Sequence, residues 1–133
     1  MTLIRLICLG YVLALGFAAA LNYIPGLTDA QGRSFGIFAL DLSDDALHAA
    51  SALWALAAAL TSERAARFFL RTFGLLYLGD GLLGLVTGSG YLDLGILTYG
   101  IQSLAFSFKI LANGPHIALG GFAVFSGLAW GRA

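Results

Sequence analysis

Long apolar segments separated by short polar ones dominate the pattern of this chain. They run over about 3–23, 46–61, 65–87 and 115–130. A helix needs about 20 mostly apolar residues to cross the ~30 Å hydrocarbon core of a bilayer, and the four segments reach or approach that length. The pattern therefore predicts an all-α integral membrane four-helix bundle, formed by a single membrane domain over 1–133.

Polar and conformationally special residues mark the predicted helix ends. Pro25 and Gly26 stop the first helix, and residues 43–45 supply hydroxyl and carboxylate groups that cap the second. Asn113 is predicted to cap the fourth helix, with Pro115 near its first turn, where the missing N–H costs little. These signals predict long loops after the first and third helices and a tight connection between the second and third.

The segment between the third and fourth helices is itself apolar, but Asp93, Gln102 and Lys109 argue against a fifth span there. Wound as a helix, it presents one apolar face, formed by Leu97, Ile101, Leu104, Phe108 and Leu111. We interpret it as an outer interfacial helix that lies along the membrane surface. A fifth span over 91–111 is the alternative.

Basic residues orient the predicted spans, because Lys and Arg concentrate in short cytoplasmic segments of membrane proteins. Arg33 and Lys109 lie on one predicted side. The other side carries Arg5, Arg64, Arg67, Arg71 and Arg132. Both termini and the connection at 61–64 are therefore expected to be cytoplasmic, in a multi-pass membrane protein.

Composition narrows the function classes. Hydrophobic residues make up 59% of the chain and charged residues 11%, with a formal net charge of zero. So few charges cannot cover a water-soluble surface, and no basic patch is present to bind nucleic acid. The single cysteine, Cys8, is expected to lie in the core or against lipid. Motifs of soluble enzymes, such as the Gly-rich phosphate loop, are missing from the sequence, so a non-enzymatic role is expected.

The two halves of the chain resemble each other. The matched features are Arg5 with Arg71, Tyr11 with Tyr77, and the [Asp/Asn]-x-x-His motifs at 45–48 and 113–116. The register nearly holds across these matches, which predicts two copies of one helical hairpin, at about 1–63 and 64–133. The copies would be related by a pseudo-twofold axis along the membrane normal. Chance similarity between apolar helices is the alternative.

Three short stretches carry a resemblance to a known family: Asp45-Ala-Leu-His48, Asn113-Gly-Pro-His116 and Phe73-Gly-Leu-Leu-Tyr77. They are similar to a bacterial family of small four-helix membrane proteins known only as a domain of unknown function. The resemblance covers most of the chain. It implies the topology and no activity.

Asp80, His48 and His116 are the residues most able to carry chemistry. Asp80 is predicted well inside the third span, where an ionisable group is costly unless it is paired, hydrated or protonated. Each histidine is expected about one turn from the outer end of its helix, so all three would belong to the outer half. Facing imidazoles would ligate a haem or a chlorophyll-type pigment, or a divalent metal together with Asp80. The simpler alternatives are a protonated Asp80 bonded to a neighbouring helix, and histidines bonded to backbone or water.

These observations predict a small polytopic protein that acts as a non-enzymatic accessory or assembly subunit of a larger inner-membrane complex, or that self-associates. Its expected partners are the lipid bilayer and other membrane-protein subunits. Two alternatives come from the candidate residues. One is a membrane protein that binds haem, pigment or metal through His48 and His116, and the other is a small transporter that uses Asp80.

Overall fold

A computed structural model describes residues 1–130, and this part of the chain is helical, without strands. The helices are α1 (Leu3–Ala20, extended by a single 3-10 turn at Leu21–Tyr23), α2 (Leu42–Thr61), α3 (Glu63–Thr87), α4 (Gly95–Tyr99) and α5 (Phe106–Ala129). Arg132, which the sequence places among the cytoplasmic basic residues, lies outside the described residues.

Among residues 1–130, two stretches are long and apolar enough to cross a membrane, by length and composition. They are Leu3–Tyr23, with a mean hydropathy of 2.1, and Glu63–Thr87, with a mean hydropathy of 1.4. They coincide with the first and third apolar segments of the sequence.

The N-terminus of α2 is capped by a residue that precedes the predicted one. Asp41 is the N-cap: its carboxylate accepts the backbone N–H of Asp44, and the Asp44 carboxylate accepts the backbone N–H of Asp41. Residues 43–45 therefore lie in the first helical turn, and the prediction that they open the helix is wrong by one turn. Both acidic residues of that turn face the positive end of the helix dipole.

The start of α5 differs more from the prediction. The helix begins at Phe106, so Asn113 and Pro115 lie inside it and the predicted cap at Asn113 is wrong. The Asn113 side chain instead donates to the carbonyl of Lys109, one turn earlier. Proline removes only one helical N–H, and the apolar residues before it extend the surface that α5 packs against the bundle.

The predicted outer interfacial helix is largely replaced by other structure. Only Gly95–Tyr99 forms a short helix, and Phe108 and Leu111 belong to α5. The apolar positions that share a face in a continuous helix are therefore divided among α4, the irregular segment after it and α5. Gly100 ends α4 with a φ of 64°, a backbone conformation that glycine adopts without strain.

The long helices pack as two antiparallel pairs, α1 with α2 and α3 with α5. Near the start of α1, the Nε of Arg5 donates to the carbonyl of Ala59 near the end of α2, at 2.6 Å. The Nε of Arg71 in α3 donates to the carbonyl of Gly127 near the end of α5, at 2.9 Å. We call this end of the bundle the turn end, and the opposite end, which carries 24–41 and 88–105, the loop end.

Contacts between the pairs centre on two tyrosines. Tyr11 of α1 donates through its hydroxyl to the carbonyl of Leu119 in α5. The hydroxyl of Tyr77 in α3 is 2.9 Å from that of Ser51 in α2. Each tyrosine therefore reaches from its own helical pair to the other pair, which fixes how the two pairs sit against each other.

The core lies between these helices and is aromatic at its centre. Phe73 stacks on Phe69 and Tyr77, and Tyr11 meets Phe73 edge to face. Cys8 is fully buried in the same core, in agreement with one of its two expected environments. Small residues let α3 and α5 approach closely, since a Cβ at Gly120 would overlap the backbone of Leu78.

Candidate functional site: a cavity at the loop end

A cavity of about 490 Å³ lies at the loop end, between the helices and the two long loops. Its polar lining includes Arg33, Asp44, His48, Asp80, Asp93, Gln102, Lys109, Asn113 and His116. Apolar side chains such as Leu15, Phe38, Phe108 and Leu119 form much of the remaining wall. A cavity of this size with a few polar groups in an apolar wall has the usual form of a small-molecule site.

Asp80 is the most completely bonded side chain in the wall, and it is only 4% exposed. Its Oδ2 lies 2.6 Å from Nδ1 of His116, across the contact between α3 and α5. Its Oδ1 accepts the backbone N–H groups of Tyr91 and Leu92, each at 2.8 Å. Three donors therefore satisfy a carboxylate that would otherwise be costly to bury.

The loop after α3 can approach Asp80 because glycines lie at its beginning. Gly88 ends α3 with a φ of 82°, the left-handed conformation that closes many helices. Gly90 then passes so close to the Asp80 carboxylate that a Cβ at this position would overlap it. The backbone N–H groups of the next two residues consequently point at the carboxylate.

The two histidines lie side by side, a contact that the sequence allows but does not determine. The ring centroids of His48 and His116 are 5.9 Å apart, with an interplanar angle of 79°. The ring of Tyr77 lies 4.9 Å from that of His116 and covers the side facing the core. His48 is 6% exposed, and its Nδ1 is buried without a hydrogen-bond partner in the described part of the chain. The site therefore contains one imidazole bound to a carboxylate and one imidazole with unused bonding capacity.

Asp44 and Asp93 form a second acidic group at the cavity. Asp44 lies in the first turn of α2, before the predicted span at 46–61, and its carboxyl lies near that of Asp93, in the loop after α3. Burial, followed by the neighbouring Asp93, raises the pKa of Asp44 to about 8, although the N–H of Asp41 acts against the shift. Asp44 therefore holds a proton at neutral pH, and the pair carries less charge than two ionised carboxylates.

Two cationic side chains also line the cavity. Arg33 belongs to the loop after α1, where the Asp29 carboxylate accepts its backbone N–H and fixes the turn. Lys109 lies in the first turn of α5, with its Nζ 5.9 Å from the centre of the Phe106 ring. Within residues 1–130 the one contact at salt-bridge distance joins His116 to Asp80. Neither cation therefore has a carboxylate partner there.

The structure brings together the three residues that the sequence singles out. One detail is wrong: His116 lies almost three turns into α5, because the helix begins at Phe106. Among residues 1–130, no group of three or more His, Cys, Asp or Glu side chains is arranged to hold a metal ion. Ligation of a haem or a chlorophyll-type pigment by His48 and His116 stays a prediction.

Other members of the site were not identified as such from the sequence. Asp93 and Lys109 serve there only as arguments against a fifth span, and Arg33 only as a marker of orientation. Their charge in an apolar chain is a usable signal, because each must find water, a partner or a ligand. Their shared location depends on irregular loops, which hydrophobic periodicity does not describe.

The fold and the site define a class: a helical protein with membrane-length helices and a buried carboxylate and imidazole pair in the wall of a cavity. The family model described as a domain of unknown function, DUF4383, matches residues 5–101, and the chain belongs to this family. The matched residues include most of α1 and all of α2, α3 and α4, and they stop before α5, which carries His116. Comparisons with curated proteins and with solved structures find no match.

Proposed function

We propose that this chain is a small four-span membrane protein that binds a small molecule in the loop-end cavity. The observation that carries the proposal is the buried pair of Asp80 and His116 in the cavity wall, beside the unpartnered imidazole of His48. Ionisable groups inside an apolar bundle are costly and commonly mark a pathway or a binding site. His48 lines the cavity, so the part of its ring that faces the cavity would meet a polar group of a bound ligand.

Apolar side chains on the outside of the bundle support four spans. Leu13 is 76% exposed, Leu53 is 68% exposed, Val86 is 76% exposed and Phe125 is 57% exposed. These side chains come from α1, α2, α3 and α5 respectively, so the apolar exterior extends over all four long helices. Lipid tails solvate such a surface, whereas a monomeric soluble protein rarely exposes large continuous apolar patches.

The proposed orientation puts the loop end outside the cytoplasm of a bacterial cell. Arg5, Arg64, Arg67 and Arg71 all belong to the turn end of their helices, which favours this end as the cytoplasmic side of an inner membrane. The cavity would then face outward. Its ligand would arrive from outside the cell or from the outer leaflet.

The contacts between helices support an internal duplication with a pseudo-twofold axis. The bond from Arg5 has its counterpart in the bond from Arg71, and the contacts of Tyr11 and Tyr77 exchange in the same way. The partners of the two arginines are Ala59 and Gly127, and the partners of the two tyrosines are Leu119 and Ser51. Within each of these two sets, the partners are separated in sequence by the same number of residues as His48 and His116. Asp80 has no counterpart, since Ala14 holds its position in the first copy. The site would thus arise by divergence of one copy.

A second proposal, assembly with other membrane subunits or with a second copy, rests on a different observation. Cβ atoms placed at Gly10, Gly16, Gly114 and Gly121 would meet nothing within 4 Å. These glycines therefore face outward, and small residues on membrane helices permit close packing against a neighbour. Native mass spectrometry in mild detergent tests this role. A chain that remains a monomer there and in lipid nanodiscs would argue against it.

Loading of the cavity by amphiphilic probes tests the binding proposal. The probes are octanoate, octylamine and octanol, each with a terminal trifluoromethyl group, observed by ¹⁹F NMR with the protein in zwitterionic lipid nanodiscs. We expect at least one probe to show saturable binding to the wild-type chain. Ala112→Phe, which fills part of the cavity, should abolish that binding, because Ala112 lines the wall.

Ala118→Phe is the matched control, since Ala118 lies on the same helix, is exposed and does not line the cavity. It should bind the probes like the wild-type chain. Equal binding by Ala112→Phe and the wild-type chain, or no saturable binding of any probe, would contradict the proposal. A visible absorption spectrum of the purified protein distinguishes a pigment site, because a haem or chlorophyll held by His48 and His116 would colour the preparation.

A further inference from the structure

The cavity contains more uncompensated positive charge than negative charge. Arg33 and Lys109 line it without a carboxylate partner among residues 1–130. The three carboxyl groups that line it are already engaged, by contrast. Asp80 is bonded to His116 and to two backbone N–H groups. Asp44 accepts the backbone N–H of Asp41, and Asp93 accepts that of Gly95. The two cations are consequently the groups that lack a counter-charge.

Apolar side chains lie in the same wall as these cations. Leu15, Phe108 and Leu119 come from α1 and α5, and each lines the cavity. Phe108 immediately precedes Lys109, so the first turns of α5 present a ring and an ammonium group to the same space. An apolar wall with charge at one part of it matches a ligand that has an apolar body and a charged head.

We propose that the cavity binds an amphipathic organic carboxylate, with its head group at Lys109 and Arg33 and its apolar body along Leu15, Phe108 and Leu119. The inference rests on the proposed function and names the class of ligand. A carboxylate fits both cations, because Arg offers a planar fork of donors and Lys offers a compact charge with three donors. His48 is available for a polar substituent along the body of the ligand.

The head group of the probe tests this inference. In the same nanodiscs, trifluoromethyl-octanoate should bind at least about tenfold more tightly than the corresponding amine or alcohol. Lys109→Gln and Arg33→Gln should each weaken octanoate binding about tenfold, since a charge-assisted hydrogen bond is lost. Binding of the alcohol should change little in either variant. Zwitterionic lipid is used so that anionic headgroups do not compete for the two cations.

Two further variants separate the head-group contact from a change of fold. Lys109→Arg keeps the charge and should retain octanoate binding, while Arg64→Gln removes an exposed cation at the turn end and should leave it unchanged. Tighter binding of the amine than of octanoate, or unchanged octanoate binding in both Lys109→Gln and Arg33→Gln, would overturn the inference and leave the binding site in place. If no probe binds saturably to the wild-type chain, or if Ala112→Phe leaves probe binding unchanged, the proposed function is overturned as well.

Discussion

At the scale of single residues, Asp80 joins three parts of the molecule that are separate in sequence. It belongs to α3, one oxygen bonds to His116 of α5, and the other holds the backbone of Tyr91 and Leu92. The carboxylate therefore couples the position of the imidazole to the position of the loop over the cavity. A ligand that moves His116 would therefore also move the loop, through this one side chain.

Replacement of Asp80 should reveal how much this carboxylate contributes. Asp80→Ala leaves an imidazole and two backbone N–H groups without a partner, so the free energy of unfolding should fall by about 2–4 kcal/mol. Asp80→Asn retains an acceptor and should cost roughly half as much. Thermal unfolding in detergent measures both, with Glu63→Gln at the turn end as a control. Equal stability of the Ala variant and the wild-type chain would contradict the structural role.

Asp44 gives a prediction for pH dependence. Its folded pKa of about 8 is raised above the value of about 4 that an unfolded Asp has. Between these values the folded state retains a proton that the unfolded state releases, so stability should fall as pH rises from about 4 to about 8. Asp44→Asn keeps the capping acceptor and cannot ionise, so it should flatten this slope in melting curves taken at several pH values. An unchanged slope would contradict the assignment.

The residues of the site differ in how far sequence predicts them. Asp80 is predictable because a carboxyl within an apolar segment needs a partner, and the repeated motif indicates both histidines. The approach of Asp93 to Asp44 is not predictable in this way. It depends on the course of the loop after Gly88, where positive φ angles and local hydrogen bonds determine the path.

At the scale of elements, the apolar length of a segment proved the most reliable signal. Helix α3 begins and ends within two residues of its prediction, because its length and its glycine-rich end agree. Helix α5 begins well before its prediction, because Asn113 and Pro115 imitate a helix start. Proline is compatible with a helix interior when the rest of the segment packs well, and here packing against α3 prevails over the local signal.

The close contact between α3 and α5 predicts a sharp difference between two adjacent glycines. A Cβ at Gly120 would overlap the backbone of Leu78, whereas a Cβ at Gly121 would meet nothing within 4 Å. Gly120→Ala should therefore reduce the free energy of unfolding by about 1–3 kcal/mol by forcing the helices apart. Gly121→Ala should be neutral or slightly stabilising, since alanine favours the helix. Similar melting temperatures for the two variants would argue against this helix contact.

At the scale of the whole molecule, the arrangement combines an apolar exterior, a nearly symmetrical set of helix contacts and one asymmetric site. The asymmetry lies in Asp80, which pairs with His116, while His48 of the other proposed copy has no carboxylate partner in the described chain. Duplication would supply two similar imidazoles, and the single carboxylate would make them chemically different. A site with two distinct imidazoles beside a cavity is suited to bind an asymmetric ligand.

Side-specific cysteine labelling tests the central claim, a cavity that opens to the outside of a four-span bundle. In a Cys8→Ala background, single cysteines replace Ala112 in the cavity wall, Ala118 on the outer face of α5, and Ser62 between α2 and α3. An impermeant charged thiol reagent added to intact cells should label position 112 and should label 62 only after the membrane is opened. Position 118 should stay unlabelled in both cases, because lipid covers the outer face of α5. Labelling of 62 in intact cells, or equal labelling of 112 and 118, would contradict the proposed topology and cavity.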